Sequence, residues 1–341
     1  MRDSAPHPPP VRGRQGRLPY LVRKVQRHVH WARTEGLGRL IEEDRLDPRA
    51  RVATAWSKHR WRGRHGVAPG QARPVYVVGL QRSGTNMIMR GVDLAPEVEV
   101  RNENDRRLFD RFHLRPDDVL VRLVRASRHQ VVLVKPLCES HRVDLLLDLA
   151  GVPGGRAVWV YRDCEARARS EVSKFATSNL DALRVVAAGA GESIWQGQRL
   201  PRESVELVRS FDLKNMSAET AAVLFWLVRN RLYFDLGLSE RPDVALVSYE
   251  AFIADPASEM RFLCDFAGLP FRPEMYKGVV PRSTNVIRRT VPVDPTVLQL
   301  ARRLARRLEA QRHAERQASA LTSLIGRTGE AATVDLGESK L

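Results

Sequence analysis

The residues with the most specific chemical pattern lie between positions 75 and 90. A short apolar run, residues 75–78, precedes a turn bracketed by Gly79 and Gly84, and apolar residues then recur at helical spacing. This pattern predicts a buried strand, a loop and a helix. Such a loop presents successive backbone N–H groups at the positive end of a helix dipole, so the ligand that it favours is a phosphate.

Two residues after the loop distinguish it from the phosphate loop of nucleotide triphosphatases. Gly79 and Gly84 have the spacing of that motif, but Thr85 and Asn86 stand where its Lys and its magnesium-binding Ser or Thr belong. A cation is found earlier in the loop instead, at Arg82. The sequence therefore predicts a loop that binds phosphate without magnesium, and it disfavours phosphoryl transfer from ATP.

Polar side chains also follow three later apolar runs. Lys135, Arg162 and Tyr249 each come directly after a short run that is typical of a strand covered on both faces. Because the carboxyl ends of parallel strands meet at one edge of a sheet, we expect these side chains to lie near the phosphate loop.

Strand-like and helix-like segments alternate from residue 74 onwards. The alternation predicts an α/β fold with a P-loop-like parallel sheet flanked by helices in three layers, preceded by a basic helical extension. Residues 165–175 form one predicted helix, which places Ser170 and Lys174 one turn apart on the same face. The predicted organisation is a disordered basic tail (1–17), a basic helical extension and linker (18–73), the α/β domain (74–326) and a C-terminal tail (327–341).

The composition is that of a globular protein with an uneven charge distribution. The 341-residue chain is 43% hydrophobic and 28% charged, and it carries a formal net charge of +16. Residues 1–73 contain 17 Lys and Arg against 6 Asp and Glu, so most of the excess is N-terminal. Such a segment can attract nucleic acid, anionic lipid or an acidic substrate, or it can simply be a solvated surface.

Membrane and disulfide signals are absent from the sequence. No apolar run approaches the roughly 18–20 residues that span a bilayer, and the N-terminus lacks the apolar core of a signal peptide. Cys138, Cys164 and Cys264 are far apart and form no Cys-x-x-Cys pair, so neither a zinc site nor a disulfide framework is expected. We therefore expect a cytoplasmic protein.

The loop and three later motifs resemble those of one enzyme family. Gln-Arg-Ser-Gly-Thr-Asn, residues 81–86, resembles the Pro-Arg-Ser-Gly-Thr-Thr phosphosulfate loop of sulfotransferases that use 3′-phosphoadenosine 5′-phosphosulfate (PAPS). Residues 97–103 resemble the family's acidic loop. Val-Tyr-Arg-Asp, residues 160–163, together with the later Ser170 resembles the family's 3′-phosphate site. Ser-Tyr-Glu-x-Phe, residues 248–252, resembles the strand on the adenine side of the nucleotide. The resemblance extends from about residue 75 to residue 289. In motif style it is closest to the acidic-loop branch that includes the tyrosylprotein sulfotransferases.

This resemblance implies that the protein transfers a sulfuryl group from PAPS to a hydroxyl or amine acceptor without a metal. It implies that Glu103 takes the acceptor's proton, and that Arg82 and Lys135 stabilise charge on the bridging oxygen, as this chemistry requires. The residues that it implies for PAPS binding are Arg82, Ser83, Gly84, Thr85, Asn86, Arg162, Ser170, Lys174, Tyr249, Ser283 and Arg289.

Departures from the family pattern leave alternatives open. Gln81 replaces the commoner Pro, Cys164 replaces the Pro that often follows Arg-Asp, and residues 282–289 match the family's C-terminal Ser and Lys only approximately. Other branches use His as the base, so His141 is the alternative to Glu103.

Two other functions compete with sulfuryl transfer. A P-loop-like nucleotide kinase or hydrolase would need the missing Lys and magnesium ligand. A non-enzymatic protein could bind anions or nucleic acid through the basic N-terminal arm, with affinity that falls steeply with salt; a sulfotransferase needs no specific nucleic acid. The acceptor class stays open among sugar, lipid, phenol, peptide and small metabolite, and so does the oligomeric state.

Overall fold

The computed structural model describes residues 48–279 and 292–334, with side chains at 51–279 and 292–321. The chain divides into two compact units, Met1–Ser57 and Lys58–Leu341. In the first unit the described part is the beginning of helix α1 (Pro48–His65). The predicted basic tail and most of the basic extension, residues 1–47, lie outside the described residues, as do Ser283 and Arg289.

The second unit is built on a parallel sheet. The strands in chain order are β1 (Arg73–Gly79), β2 (Val98–Arg101), β3 (Phe109–Asp110), β4 (His113–Leu114), β5 (Val131–Val134), β6 (Arg156–Tyr161) and β7 (Val244–Ser248). Five of them form the sheet in the order β2-β5-β1-β6-β7, and every pairing in it is parallel. Strands β3 and β4 form a separate antiparallel hairpin.

Helices connect the strands and cover both faces of the sheet. The α-helices after α1 are α2 (Thr85–Val92), α3 (Asp117–Ala126), α4 (Val143–Leu147), α5 (Cys164–Phe175), α6 (Ser178–Ala187), α7 (Arg202–Arg209), α8 (Ala218–Asp235), α9 (Tyr249–Ala254), α10 (Pro256–Ala267), α11 (Glu274–Lys277) and α12 (Pro295–Val334). Short 3-10 segments span Leu137–Arg142, Gly191–Ser193 and Leu238–Glu240.

The two faces of the sheet belong to two separate apolar cores. In β1, Tyr76 and Val78 pack into one core together with Trp226 of α8, whereas Val75 and Val77 pack into the other. Successive strand residues point to opposite faces, so an apolar run with no polar alternation requires a cover on each side. The predicted three-layer α/β fold is confirmed.

Strand β1 marks the point where the order of the strands along the sheet reverses. Strands β2 and β5 lie on one side of it, and β6 and β7 lie on the other. In open α/β sheets, ligands bind outside the carboxyl ends of the strands at such a point. Lys135, Arg162 and Tyr249 follow β5, β6 and β7 directly, so all three leave the sheet at this edge.

Three helices outside the sheet have ends that the structure defines. Helix α10 starts with Asp255 capping the backbone N–H of Ser258 and ends at Gly268, which has a φ of 69°. Helix α1 extends to His65, and α12 extends to Val334, past residue 326 at which the α/β domain was predicted to end. Among the helices of the described ranges, none has the length and apolar character to cross a bilayer.

Candidate active site at the carboxyl edge of the sheet

The loop after β1 is possible only with glycine at its two ends. Gly79 has a φ of +119°, and a Cβ atom there would lie 2.2 Å from the carbonyl oxygen of Val160. Gly84 has a φ of +95°, and a Cβ atom there would lie 2.4 Å from the ring of Tyr249. Both positions combine a left-handed backbone with a close neighbour, which explains the glycine spacing of the motif.

Ser140 fixes the base of this loop. Its Oγ accepts a hydrogen bond from the Gly79 N–H at 3.0 Å and lies 2.8 Å from the carbonyl oxygen of Leu137. The contact joins β1 to the 3-10 segment that follows β5. The sequence gives no signal for this residue, because a serine 61 positions away has no motif in common with the loop.

Lys135 connects the loop to the acidic segment after β2. Its Nζ donates to Asn86 Oδ1 at 2.8 Å and lies 3.0 Å from Glu103 Oε2. Both charged side chains are largely buried, with 9% and 16% of their surface exposed. The structure thus brings together Asn86, Lys135 and Glu103, three of the residues predicted for the site.

The environment of Glu103 makes it a stronger base than an exposed glutamate. Burial raises the pKa of Glu103 above its usual range, and the positive charge of Lys135 and the Leu137 backbone N–H act against that rise. Glu103 therefore combines a raised pKa with a fixed cationic neighbour. A carboxylate in such surroundings is a candidate general base.

A second group of predicted residues lies around Arg82. Arg82 Nε donates to Ser170 Oγ at 2.8 Å, and Arg162 Nη1 donates to the carbonyl oxygen of Arg82 at 3.3 Å. The Arg162 guanidinium lies 4.4 Å from the centre of the Tyr249 ring, which itself lies against Gly84. Two cations, a hydroxyl and an aromatic face therefore share one region of the sheet edge.

Lys174 lies on helix α5, one turn beyond Ser170. Its ammonium group is 5.4 Å from the centre of the Phe175 ring. Glu250 orients the neighbouring part of the edge, because its Oε1 accepts from the Asp163 N–H at 3.1 Å and lies 3.9 Å from Arg162 Nε. Burial raises the pKa of Glu250.

Arg167 supports the loop from below. It is fully buried, and its Nε donates to the carbonyl oxygen of Gln81 at 3.2 Å while Nη1 donates to Asn179 Oδ1 at 2.6 Å. Glu171 lies 3.2 Å away as its ion-pair partner, and burial lowers the pKa of Arg167 to about 10, so it is charged at neutral pH. An arginine of this kind looks like any solvated helix residue in the sequence.

His141, the alternative base, follows Ser140 in the 3-10 segment Leu137–Arg142. Burial and the nearby Arg229 lower the pKa of His141 to about 3. Its backbone carbonyl accepts from Arg199 at 3.0 Å, and its Nδ1 is buried without a partner among the residues that the structure describes. Such an imidazole stays neutral and is a much weaker base than Glu103.

A comparison with protein-family models gives a match to the sulfotransferase domain over residues 72–285. The chain belongs to the sulfotransferase domain family. That match spans β1, the loop, Glu103, Lys135 and the ends of β6 and β7. The predicted family resemblance is therefore confirmed.

Solved structures of sulfotransferases are also similar to this member of the family. One is a sulfotransferase from Alicyclobacillus acidocaldarius, with 17% identity and a TM-score of 0.39, covering 71% of this chain and 95% of that one. Another is the sulfotransferase domain of the Synechococcus PCC 7002 olefin synthase, with 13% identity and a TM-score of 0.35, covering 71% and 98%. A comparison with curated protein sequences gives no match.

Proposed function

We propose that the protein transfers a sulfuryl group from PAPS to a hydroxyl or amine acceptor in the cytoplasm. The observation that carries the proposal is the Lys135 ammonium group, which contacts Asn86 at 2.8 Å and Glu103 at 3.0 Å. One cation thereby joins the phosphate loop to a carboxylate that can act as a base. The family match supports the same reaction, and three buried free cysteines support a reducing compartment.

The loop fits the phosphosulfate end of PAPS. Ser83 is fully buried, and its Oγ has no hydrogen-bond partner among the described residues. Its hydroxyl can therefore donate a hydrogen bond to an oxygen of a bound ligand. Gly84 lets the Tyr249 ring lie directly against the loop. Thr85 begins helix α2, whose first N–H groups favour an anion. When bound, PAPS supplies the sulfuryl group, and Arg82–Asn86 hold its 5′ end.

The Arg162 region fits the 3′-phosphate of the same donor. A guanidinium can bind a phosphate through two charged hydrogen bonds, which a plain ribose hydroxyl cannot replace. Ser170 and Lys174 on helix α5 add a hydroxyl and a second cation, and the Tyr249 ring adds an aromatic face. Ser283 and Arg289, proposed for the same donor, lie outside the described residues.

The chemical step needs a base, alignment and charge stabilisation. Glu103 accepts the proton of the acceptor O–H, and its raised pKa strengthens it in that role. Lys135 and Arg82 stabilise the negative charge that collects on the bridging oxygen as the sulfuryl group moves. Because the loop and the acidic segment meet at Lys135, donor and acceptor are held next to each other.

A screen with radiolabelled PAPS tests the proposal. Hydroxyl and amine acceptors from the sugar, lipid, phenol and peptide classes are incubated with the protein, and labelled product is separated and counted. We expect PAPS-dependent product with at least one class, and product formation slower by roughly a hundredfold or more with the Glu103→Gln variant. Product formed from labelled ATP, with none from PAPS, would identify a kinase instead.

A further inference from the structure

A second buried carboxylate, Glu139, lies close to the proposed base and has no part in the mechanism above. It belongs to the 3-10 segment Leu137–Arg142 and is only 6% exposed. Its Oε1 accepts from the Leu114 N–H at 3.2 Å and lies 3.0 Å from His113 Nδ1. Its Oε2 is buried with no hydrogen-bond partner in the described part of the chain.

Glu139 and Glu103 lie against the same short segment. The Leu137 N–H interacts with the Glu103 carboxylate, and Glu139 follows Leu137 by two residues. The negative charge of Glu139 raises the pKa of Glu103, whereas Lys135 lowers it. Two negatively charged carboxylates, Glu103 and Glu139, and one lysine therefore lie near this end of β5.

Glu139 also anchors a strained hairpin. Between β3 and β4, Arg111 and Phe112 have φ values of 50° and 75°, a left-handed conformation that residues other than glycine rarely adopt. Strained backbone persists where surrounding contacts hold it. The two hydrogen bonds from His113 and Leu114 to Glu139 are such contacts, so His113 is fixed beside the carboxylate.

We propose that the buried charge of Glu139 acts on Glu103 across the segment Leu137–Arg142, and that the protonation of His113 controls this effect. The proposal rests on the role of Glu103 proposed above. The charged groups that face the pair are Lys135 at Glu103, His113 at Glu139 and Asp110 at His113.

The charges predict opposite effects for two substitutions. The hydrogen bond to Glu139 raises the pKa of His113, which favours the charged imidazole, and the charged imidazole cancels part of the Glu139 charge. Glu139→Gln removes a negative charge beside Glu103 and should lower the pKa of Glu103. His113→Asn removes a positive charge and should raise it. A purely structural anchor would give neither shift.

Carbon NMR of protein labelled at the glutamate carboxyl carbons measures the pKa of Glu103 directly, with its signal assigned by Glu103→Gln. We expect the pKa of Glu103 to fall by about half a unit or more in Glu139→Gln and to rise by a similar amount in His113→Asn. Shifts of about this size are typical of neighbouring charges that are partly screened. Shifts in the same direction, or shifts below about 0.2 unit in both variants, would overturn the proposal.

The substitutions preserve the hairpin contacts. Gln retains an oxygen for the Leu114 N–H, and Asn retains an N–H donor for Glu139. Asp118→Asn, at an exposed carboxylate of helix α3, is the matched control and should leave Glu103 unchanged. If Glu139→Gln does not fold, the upward shift in His113→Asn decides alone. The titration needs neither donor nor acceptor, so failure to bind 3′-phosphoadenosine 5′-phosphate in the same samples would refute the proposed function separately.

Discussion

The two groups of side chains at the sheet edge differ in how their charges are held. Around Arg82, the guanidinium groups contact a hydroxyl, a backbone carbonyl and an aromatic ring. Around Lys135, a buried ammonium faces a buried carboxylate at 3.0 Å. The ion pair of Arg162 with Glu250 is long, at 3.9 Å from Nε to Oε1, whereas the close Lys135–Glu103 pair favours the ionised form of Glu103. We infer that the Arg82 group serves donor binding and the Lys135 group serves proton transfer.

The largest effect that separates the two groups is expected for Glu103→Gln. Loss of the base should lower kcat by roughly 10²–10⁴-fold, since general-base catalysis contributes about that much. The affinity for 3′-phosphoadenosine 5′-phosphate should stay within a few-fold of the parent value. Single-turnover transfer and a binding titration measure the two quantities once an acceptor is known.

Asp105→Asn is the matched control for that experiment. Asp105 lies in the same acidic segment, where its carboxylate pairs with Arg101 at 2.6 Å and with Arg107 at 2.9 Å. Among the described residues it has no hydrogen bond or ion pair with Lys135, so turnover should stay within a few-fold. Near-parental turnover in Glu103→Gln, together with loss in His141→Ala, would transfer the role of base to His141.

Arg162→Ala should have the converse effect. Removing a charged partner from the 3′-phosphate should cost about 2–4 kcal/mol of nucleotide affinity, mostly as lost discrimination against adenosine 5′-phosphosulfate. Calorimetry with both nucleotides measures it. Arg202→Ala, at an exposed arginine of helix α7, should change neither affinity. Unchanged discrimination in Arg162→Ala would mean that Arg162 has a structural role only.

Lys135→Ala should affect both donor binding and proton transfer, because Lys135 contacts Asn86 of the loop as well as Glu103. Loss of its charged hydrogen bonds should lower donor affinity and kcat by roughly tenfold to a hundredfold each. The pKa of Glu103 should rise, since Lys135 lowers it, and a base must be ionised to act. The acid limb of the pH–rate profile should therefore move to higher pH. An acid limb at the parent position would contradict the electrostatic coupling of Lys135 to Glu103.

The sequence was sufficient for the elements that local pattern defines. Apolar runs identified β1, β5, β6 and β7, and the glycine spacing identified the loop, because strand burial and backbone φ depend on nearby residues. The placement of Lys135, Arg162 and Tyr249 at one edge followed from parallel pairing alone. The roles proposed for Glu103 and Arg82 came from family resemblance.

Long-range contacts were not predictable in the same way. Ser140, Arg167 and the His113–Glu139 pair act across separations of 61, 86 and 26 residues, and no spacing rule connects such positions. In the sequence of a helix, an arginine that will be buried cannot be distinguished from one that will be exposed to solvent. Only the packing of α5 against the loop shows that Arg167 is a support.

Calorimetric titration with 3′-phosphoadenosine 5′-phosphate and with ADP, each with and without magnesium, tests most directly whether this sheet edge is a PAPS site. The Arg162 region and the loop without a magnesium ligand predict that the bisphosphate binds at least tenfold more tightly than ADP, a difference of about 1.4 kcal/mol, and that magnesium is not needed. Equal affinities, or binding only in the presence of magnesium, would contradict the assignment.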